Sequence, residues 1–142
     1  MTMCLRYVTT PAPAHQTKET MMEPVEESQR LIAKVNKDAF VSLPNSAGKD
    51  IGQSVLQLNQ KLPNGVGFHA YRMAPGTSTE AHVHTSDEEF FVLEGDITDN
   101  DGTEYSVGDL VFMRAGTEHS STTKNGCTLL VYISTAETPL KS

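Results

Sequence analysis

From residue 39 onward the chain is a run of short apolar-polar alternations. "AFVSL", "SVLQLNQ", "VGFHAYRM", "EAHVH", "EEFFVLEG", "GTEYS", "LVFMRA", "EHSST" and "TLLVYIS" each have the length and alternation of a β-strand. Turn signals separate them: "PNSAGKD", "LPNG", "APGTS", "DNDG", "VGD" and "KNGC". "DNDG" at 99–102 predicts a hairpin. No strand alternates with a helix-length periodic segment, so a parallel α/β sheet is not expected. Many short strands in about 100 residues predict an all-β sandwich or barrel of the jelly-roll kind.

Ahead of the strands the pattern is different. Residues 1–22 include "TTPAPAHQTKET", polar and rich in Pro and Thr, which predicts a disordered tail. From Pro24, "PVEESQRLIAKVNK" has the apolar spacing of one short helix. Val25, Leu31, Ile32 and Val35 form its stripe, acids stand early and lysines late. The predicted organisation is therefore a tail over 1–22, a short helix and leading strand over 23–47, a barrel over 48–136 and a C-terminal tail over 137–142.

Composition narrows the function. The chain has 142 residues, enough for one core, and a net charge of -7. A basic face is what phosphate contacts need, so a nucleic-acid partner is not expected. No apolar run approaches the roughly 20 residues of a membrane span, and the N-terminus makes a poor signal peptide. The expectation is a cytoplasmic protein without a membrane partner. The two cysteines, Cys4 and Cys127, are too few and too far apart for a disulfide framework. Cys127 reads as a small buried hydrophobe.

One stretch carries chemistry. In "EAHVHTSDEEFFVLEG", from 80 to 95, His82 and His84 alternate and therefore share one face of a strand, with Glu80 beside them. Glu88, Phe90 and Val92 share a face on the next strand, and a turn at "TSD" returns Glu88 to the histidines. Two imidazoles and a carboxylate compose a three-sided clamp with open positions, which suits a divalent transition metal. His119, after "GDLVFMRAGTE", is a fourth candidate ligand. Each residue has a plainer reading: His-x-His occurs by chance, Glu88 belongs to an acidic turn, and His119 ends a strand. Their combination is harder to explain that way. His69 reads as a structural, cavity-lining histidine.

Together these residues resemble the two motifs of the cupin superfamily. The first is a glycine, five residues, His-x-His, three or four residues, Glu, six residues and a glycine. Gly76, His82, His84, Glu88 and Gly95 match it throughout, and the spacing to Gly95 selects Glu88 over Glu89. The second runs from Gly108 through Gly116 to His119 and Thr123. Here Arg114 replaces the pattern's proline and Thr123 its asparagine, which puts the local turn in question more than the ligands. The sequence looks like the single-barrel branch that includes the cupin domain of zinc-binding anti-sigma factors and the acetylacetone-cleaving dioxygenases.

The resemblance implies a single-domain cupin barrel with one metal ion (Fe, Mn, Ni, Cu or Zn) held by His82, His84, Glu88 and His119. It leaves the function divided. The first expectation is a dioxygenase-type enzyme for a small enol, diketone or phenol, with Phe90 and Val92 keeping the pocket dry and Glu80 or Arg72 as candidate substrate contacts. Zinc in the same site would instead suit Lewis-acid hydrolysis or isomerisation. The alternative is a regulatory or sensory cupin acting through protein contacts. Only about 45 residues precede the barrel, so a complete anti-sigma factor with its helical domain is not expected. A metal-free epimerase-like or storage-type barrel is the third. A homodimer is expected to cover sheet edges, with "AFVSL" and "SVLQLNQ" at the interface.

Overall fold

A computed structural model describes residues 21–141. The expected tail over 1–22, with Cys4 and His15, falls almost wholly outside the described residues. The chain divides into two compact units at Arg30/Leu31. In the first, a 3-10 turn spans Glu27–Gln29, and Arg30 leaves it in an extended conformation (φ -131°, ψ 122°). That turn replaces the helix expected over 24–37. Val25, Leu31 and Ile32 remain 53%, 69% and 75% exposed, so the apolar stripe buries little. A helix of that length is marginal in water without tertiary packing of its stripe. No helix among the described residues is long and apolar enough to cross a membrane.

The second unit is all β. Its strands are β1 (Val41–Ser42), β2 (Gln53–Leu56), β3 (Gly67–Met73), β4 (His82–Val83), β5 (Glu88–Gly95), β6 (Ile97–Asp99), β7 (Glu104–Tyr105), β8 (Leu110–Met113), β9 (Glu118–His119), β10 (Ser121–Thr122), β11 (Cys127–Ile133) and β12 (Thr138–Pro139). A six-stranded sheet has the order β1-β2-β3-β11-β5-β8. Two three-stranded sheets have the orders β10-β6-β7 and β12-β4-β9. All pairings are antiparallel. The expected strands are present. β6 and β12 were not anticipated, and β12 lies in the segment expected to be a tail. "DNDG" closes the β6–β7 hairpin, with Gly102 N–H donating to the Asp99 carbonyl at 2.9 Å.

Alternation decides which way each strand faces. On β5, Glu88, Phe90 and Val92 point inward while Glu89 is exposed. Phe90, Val92, Met73, Leu129, Val131 and Ile133 join in one apolar core between the sheets. Each such side chain contributes about 1.5–3 kcal/mol when fully buried. β5 ends where the chain passes from the large sheet into the small one that contains β6. Gly95 makes that corner at φ +81°, and a Cβ there would lie 1.9 Å from the Gly126 carbonyl oxygen. Only glycine satisfies both demands. Next to it, the Asp96 carboxylate accepts the Lys124 and Asn125 N–H groups at 2.8 and 3.0 Å, fixing the turn into β11.

Candidate metal centre

The sheet β12-β4-β9 builds the site. β4 is its middle strand, and the register sets His82 directly opposite His119. His84 lies two residues further along. Its N–H donates to the Thr117 carbonyl and its own carbonyl accepts from Gly116 N–H, at 3.0 and 2.8 Å. The turn at Arg114 closes without the family's proline: Ala115 N–H is held by Asp87 Oδ1, and Thr117 Oγ1 donates to the Arg114 carbonyl, both at 2.8 Å. Thr123, in place of asparagine, is buried, with its N–H on the Thr77 carbonyl at 3.0 Å.

The three imidazoles converge through one atom each. His82 Nε2 and His119 Nε2 lie 3.3 and 3.1 Å from His84 Nε2. The other ring nitrogens face outward. His82 Nδ1 is 2.8 Å from the Glu80 carbonyl, which can only accept, so that nitrogen carries the proton. His84 Nδ1 is 3.0 Å from Thr117 Oγ1, whose own hydrogen is already committed to Arg114. His119 Nδ1 is 3.1 Å from Asp99 Oδ1 but forms no aligned hydrogen bond, and is buried. In their neutral forms His82 and His84 therefore turn Nε2 lone pairs toward a common point, and His119 Nε2 faces the same point with Asp99 behind its ring. Nitrogens about 2.0–2.1 Å from a shared ion stand roughly 3.0–3.4 Å apart. The observed spacing fits such an ion, and the outer partners are of the kind that fix ligating histidines. His82, His84 and His119 could hold a metal ion.

Two carboxylates complete the surroundings. Glu88 Oε2 is 3.8 Å from His84 Nε2. Glu137, just before β12, brings Oε1 to 3.2 Å from His82 Nε2 and 3.6 Å from His84 Nε2. Burial, reinforced by Glu137, raises Glu88 to about 9. For Glu137 burial works against the charge, but the His82 imidazole and Glu88 outweigh it and lower its pKa. Burial likewise opposes the imidazolium of His82, and the adjacent Glu137 carboxylate reverses the sign, so His82 is raised. His84, losing solvent and facing two other imidazoles, is lowered. Without an ion, then, the site holds protons among crowded donors; a divalent cation would answer the same charge.

The site forms part of the wall of a cavity of about 340 Å³ that also includes Phe90, Leu129 and Val131. His69 lines it too, with Nδ1 on the Gly67 carbonyl at 3.0 Å, as expected of a structural histidine. Val92 lies in the core instead. Arg72 does not line the cavity: its guanidinium stacks 3.9 Å from the Phe40 ring centroid and donates to the Val35 carbonyl. Glu80 reaches the cavity wall, but its carboxylate accepts the N–H and hydroxyl of Ser46. Asp99 and Glu137 were missed by sequence reasoning. Asp99 alternates inward from Ile97, but it opens "DNDG" and so reads as a turn residue; no pattern marks Glu137.

This is a cupin: an all-β barrel of two-residue and longer strands that gathers histidines at one inner wall. The chain belongs to the ChrR cupin-like domain family, whose model matches residues 28–137. Its structure is similar to an acetylacetone dioxygenase from Acinetobacter johnsonii (TM-score 0.65, 16% identity, 86% of this chain and 83% of that one). It is also similar to the polyketide cyclase RemF from Streptomyces resistomycificus (TM-score 0.57, 20% identity, 86% and 87%). A third likeness is to the Rhodobacter sphaeroides complex of SigE with the anti-sigma ChrR (TM-score 0.51, 20% identity, 69% of this chain and 49% of that one). At these identities the likeness is one of fold. No curated protein matches the sequence.

Proposed function

We propose that this protein is a metal-dependent enzyme of the dioxygenase type, acting on a small enol, diketone or phenol. The observation that carries the reading is the convergence of three histidine Nε2 atoms at the wall of an otherwise largely apolar cavity. About 340 Å³ lies within the range of small-molecule sites and suits a compact substrate. A bound redox-active divalent metal would supply Lewis acidity toward substrate oxygens and the electrons for dioxygen chemistry. The chain's own contributions are separable. His82, His84 and His119 donate neutral nitrogen, and Glu88 offsets positive charge as a fourth ligand. Phe90, Leu129 and Val131 exclude water from the reacting volume. The likeness to an acetylacetone dioxygenase supports the substrate class.

A second reading has its own observation. Three histidines and two nearby carboxylates are enough donors to leave no open position, which would suit a structural or sensory zinc. The fold likeness to the anti-sigma ChrR, solved in complex with SigE, supports a reading in which the protein contacts a partner.

Metal analysis of protein purified without chelators separates the two, alongside His82→Ala and His119→Ala. Stoichiometric iron, manganese, nickel or copper that is lost in both variants, with oxygen uptake on enolisable diketones, is the expected result. Four-coordinate zinc and no uptake would transfer the assignment to the sensory reading. A protein that takes up no metal on titration overturns both.

A further inference from the structure

We infer that Glu137 is an additional metal ligand, and that the C-terminal segment carrying it is a strap whose docking is linked to metal occupancy. This rests on the metal-binding reading above and extends it to a residue outside both cupin motifs.

The first argument is distance. Glu137 Oε1 stands 3.2 and 3.6 Å from two of the converging Nε2 atoms, whereas Glu88 Oε2 is 3.8 Å from the nearer of its histidine neighbours. The Glu137 oxygen thus keeps the imidazoles' mutual spacing toward His82 and stands slightly beyond it toward His84, nearer the converging nitrogens than Glu88. His84, Glu88 and Glu137 offer ligand atoms that all lie within 4.8 Å of one another. This second donor group shares His84 with the histidine cluster and so adjoins it.

The second argument is how the backbone is held. On one side of Glu137, Thr135 N–H donates to Ser86 Oγ at 3.2 Å and Thr85 Oγ1 donates to the Ala136 carbonyl at 2.6 Å. On the other, Thr138 and Pro139 pair with Val83 and His82, and Leu140 N–H donates to the Ala81 carbonyl at 2.8 Å. The segment runs along the strand that supplies His82 and is fixed both before and after the carboxylate. Glu137 is thus placed by the sheet, not by a free side chain reaching inward.

The third argument is what the strap lacks. Thr138, Pro139 and Leu140 are all exposed, so little apolar burial holds them. A few solvent-accessible hydrogen bonds make such a segment one of the first to open. Glu137 is its half-buried residue, with Ala136 and Pro139 beside it on the cavity wall. A ligand bond there would hold the strap, and by reciprocity a docked strap would tighten the metal.

The experiment uses the full chain, stripped with chelator, and titrates Zn²⁺ and Mn²⁺ separately into wild type and Glu137→Gln. Hydrogen exchange is followed over 135–141 and, as a check on folding, over β5 and β11. The expected result is an affinity at least about tenfold weaker in Glu137→Gln, of the size seen when groups that support a metal are lost. Metal should also slow exchange over 135–141 in wild type and not in the variant, with β5 and β11 alike in both. A smaller loss of affinity, or a strap equally protected with and without metal in wild type, overturns the proposal. Should β5 or β11 exchange faster in Glu137→Gln, Glu137→Asp is measured in its place by the same criteria. A wild type that binds neither ion overturns instead the metal-binding reading on which the proposal stands.

Discussion

The two walls of the central cavity are buried to the same depth and held by opposite physics. Phe90 and Leu129 on the apolar side are each 4% exposed; His82 and Glu88 on the polar side are 7% and 8%. Removing the first pair from water is favourable whatever else is bound. Removing the second is unfavourable until its polar atoms are paired. His119 Nδ1 lacks an aligned partner, three Nε2 atoms crowd one another, and Glu88 is held protonated by burial and by Glu137. The apolar wall makes the barrel; the polar wall is tolerated by it and relieved by a cation. A site can be expensive to fold only where a core beside it contributes the difference.

The strongest way to break this division is to damage the apolar wall. Leu129→Ala, by removing a buried branch from the core, is expected to cost about 2–5 kcal/mol. Urea denaturation of the metal-free variant measures it. Metal stoichiometry should stay at the wild-type value, because the three histidines are set by β4, β9 and their turns. Loss of metal at a urea concentration where the variant remains folded would mean the walls are not separate.

A gentler change acts on the other wall. Glu88→Gln replaces a carboxyl that the metal-free site keeps protonated, since burial and then Glu137 raise it to about 9. An amide of the same shape keeps a donor and an acceptor at the site, so the metal-free stability at pH 7 should change less than metal binding does. Metal affinity should nevertheless fall by about tenfold or more, because the neutral amide cannot supply the negative charge. Equal losses in both measurements would make Glu88 a structural residue, not a ligand.

This contrast also governs what could be read from the sequence. The strands were legible because alternation and turn residues are local, and Gly95 marks the corner that its Cβ would obstruct. His82, His84, Glu88 and His119 stood out because they fall on strands at fixed spacing from such glycines. The structure brings the three histidines together and sets Glu88 beside them. The helix over 24–37 failed because an apolar stripe states a preference, not a surface to pack against. β6 and β12 lie in "DITDN" and "ETPL", which lack the apolar-polar alternation that marked the other strands. Glu137 was hidden for a further reason: pairing between β12 and β4 joins segments far apart in sequence, and "STAETPL" contains nothing that requires it.

The smallest effect tests whether the apolar wall stays closed when the polar wall is emptied. Cys127 opens β11, is 4% exposed and belongs to the core. Burial pushes its thiol up from 9.0 to about 11. The folded value lies above the unfolded one, so this group's contribution to stability is complete below about pH 9 and is lost as pH rises toward about 11. At pH 8 the thiol is therefore both protonated and covered. In a Cys4→Ser background, iodoacetamide should modify Cys127 slowly at pH 8 in the native protein and rapidly in urea. Chelation should leave the native rate unchanged, because emptying the metal wall removes no contact from the β3–β11–β5 core. A rate that climbs on chelation would show that the apolar wall opens when the cation leaves, and that the barrel depends on its site more than the burial of its core implies.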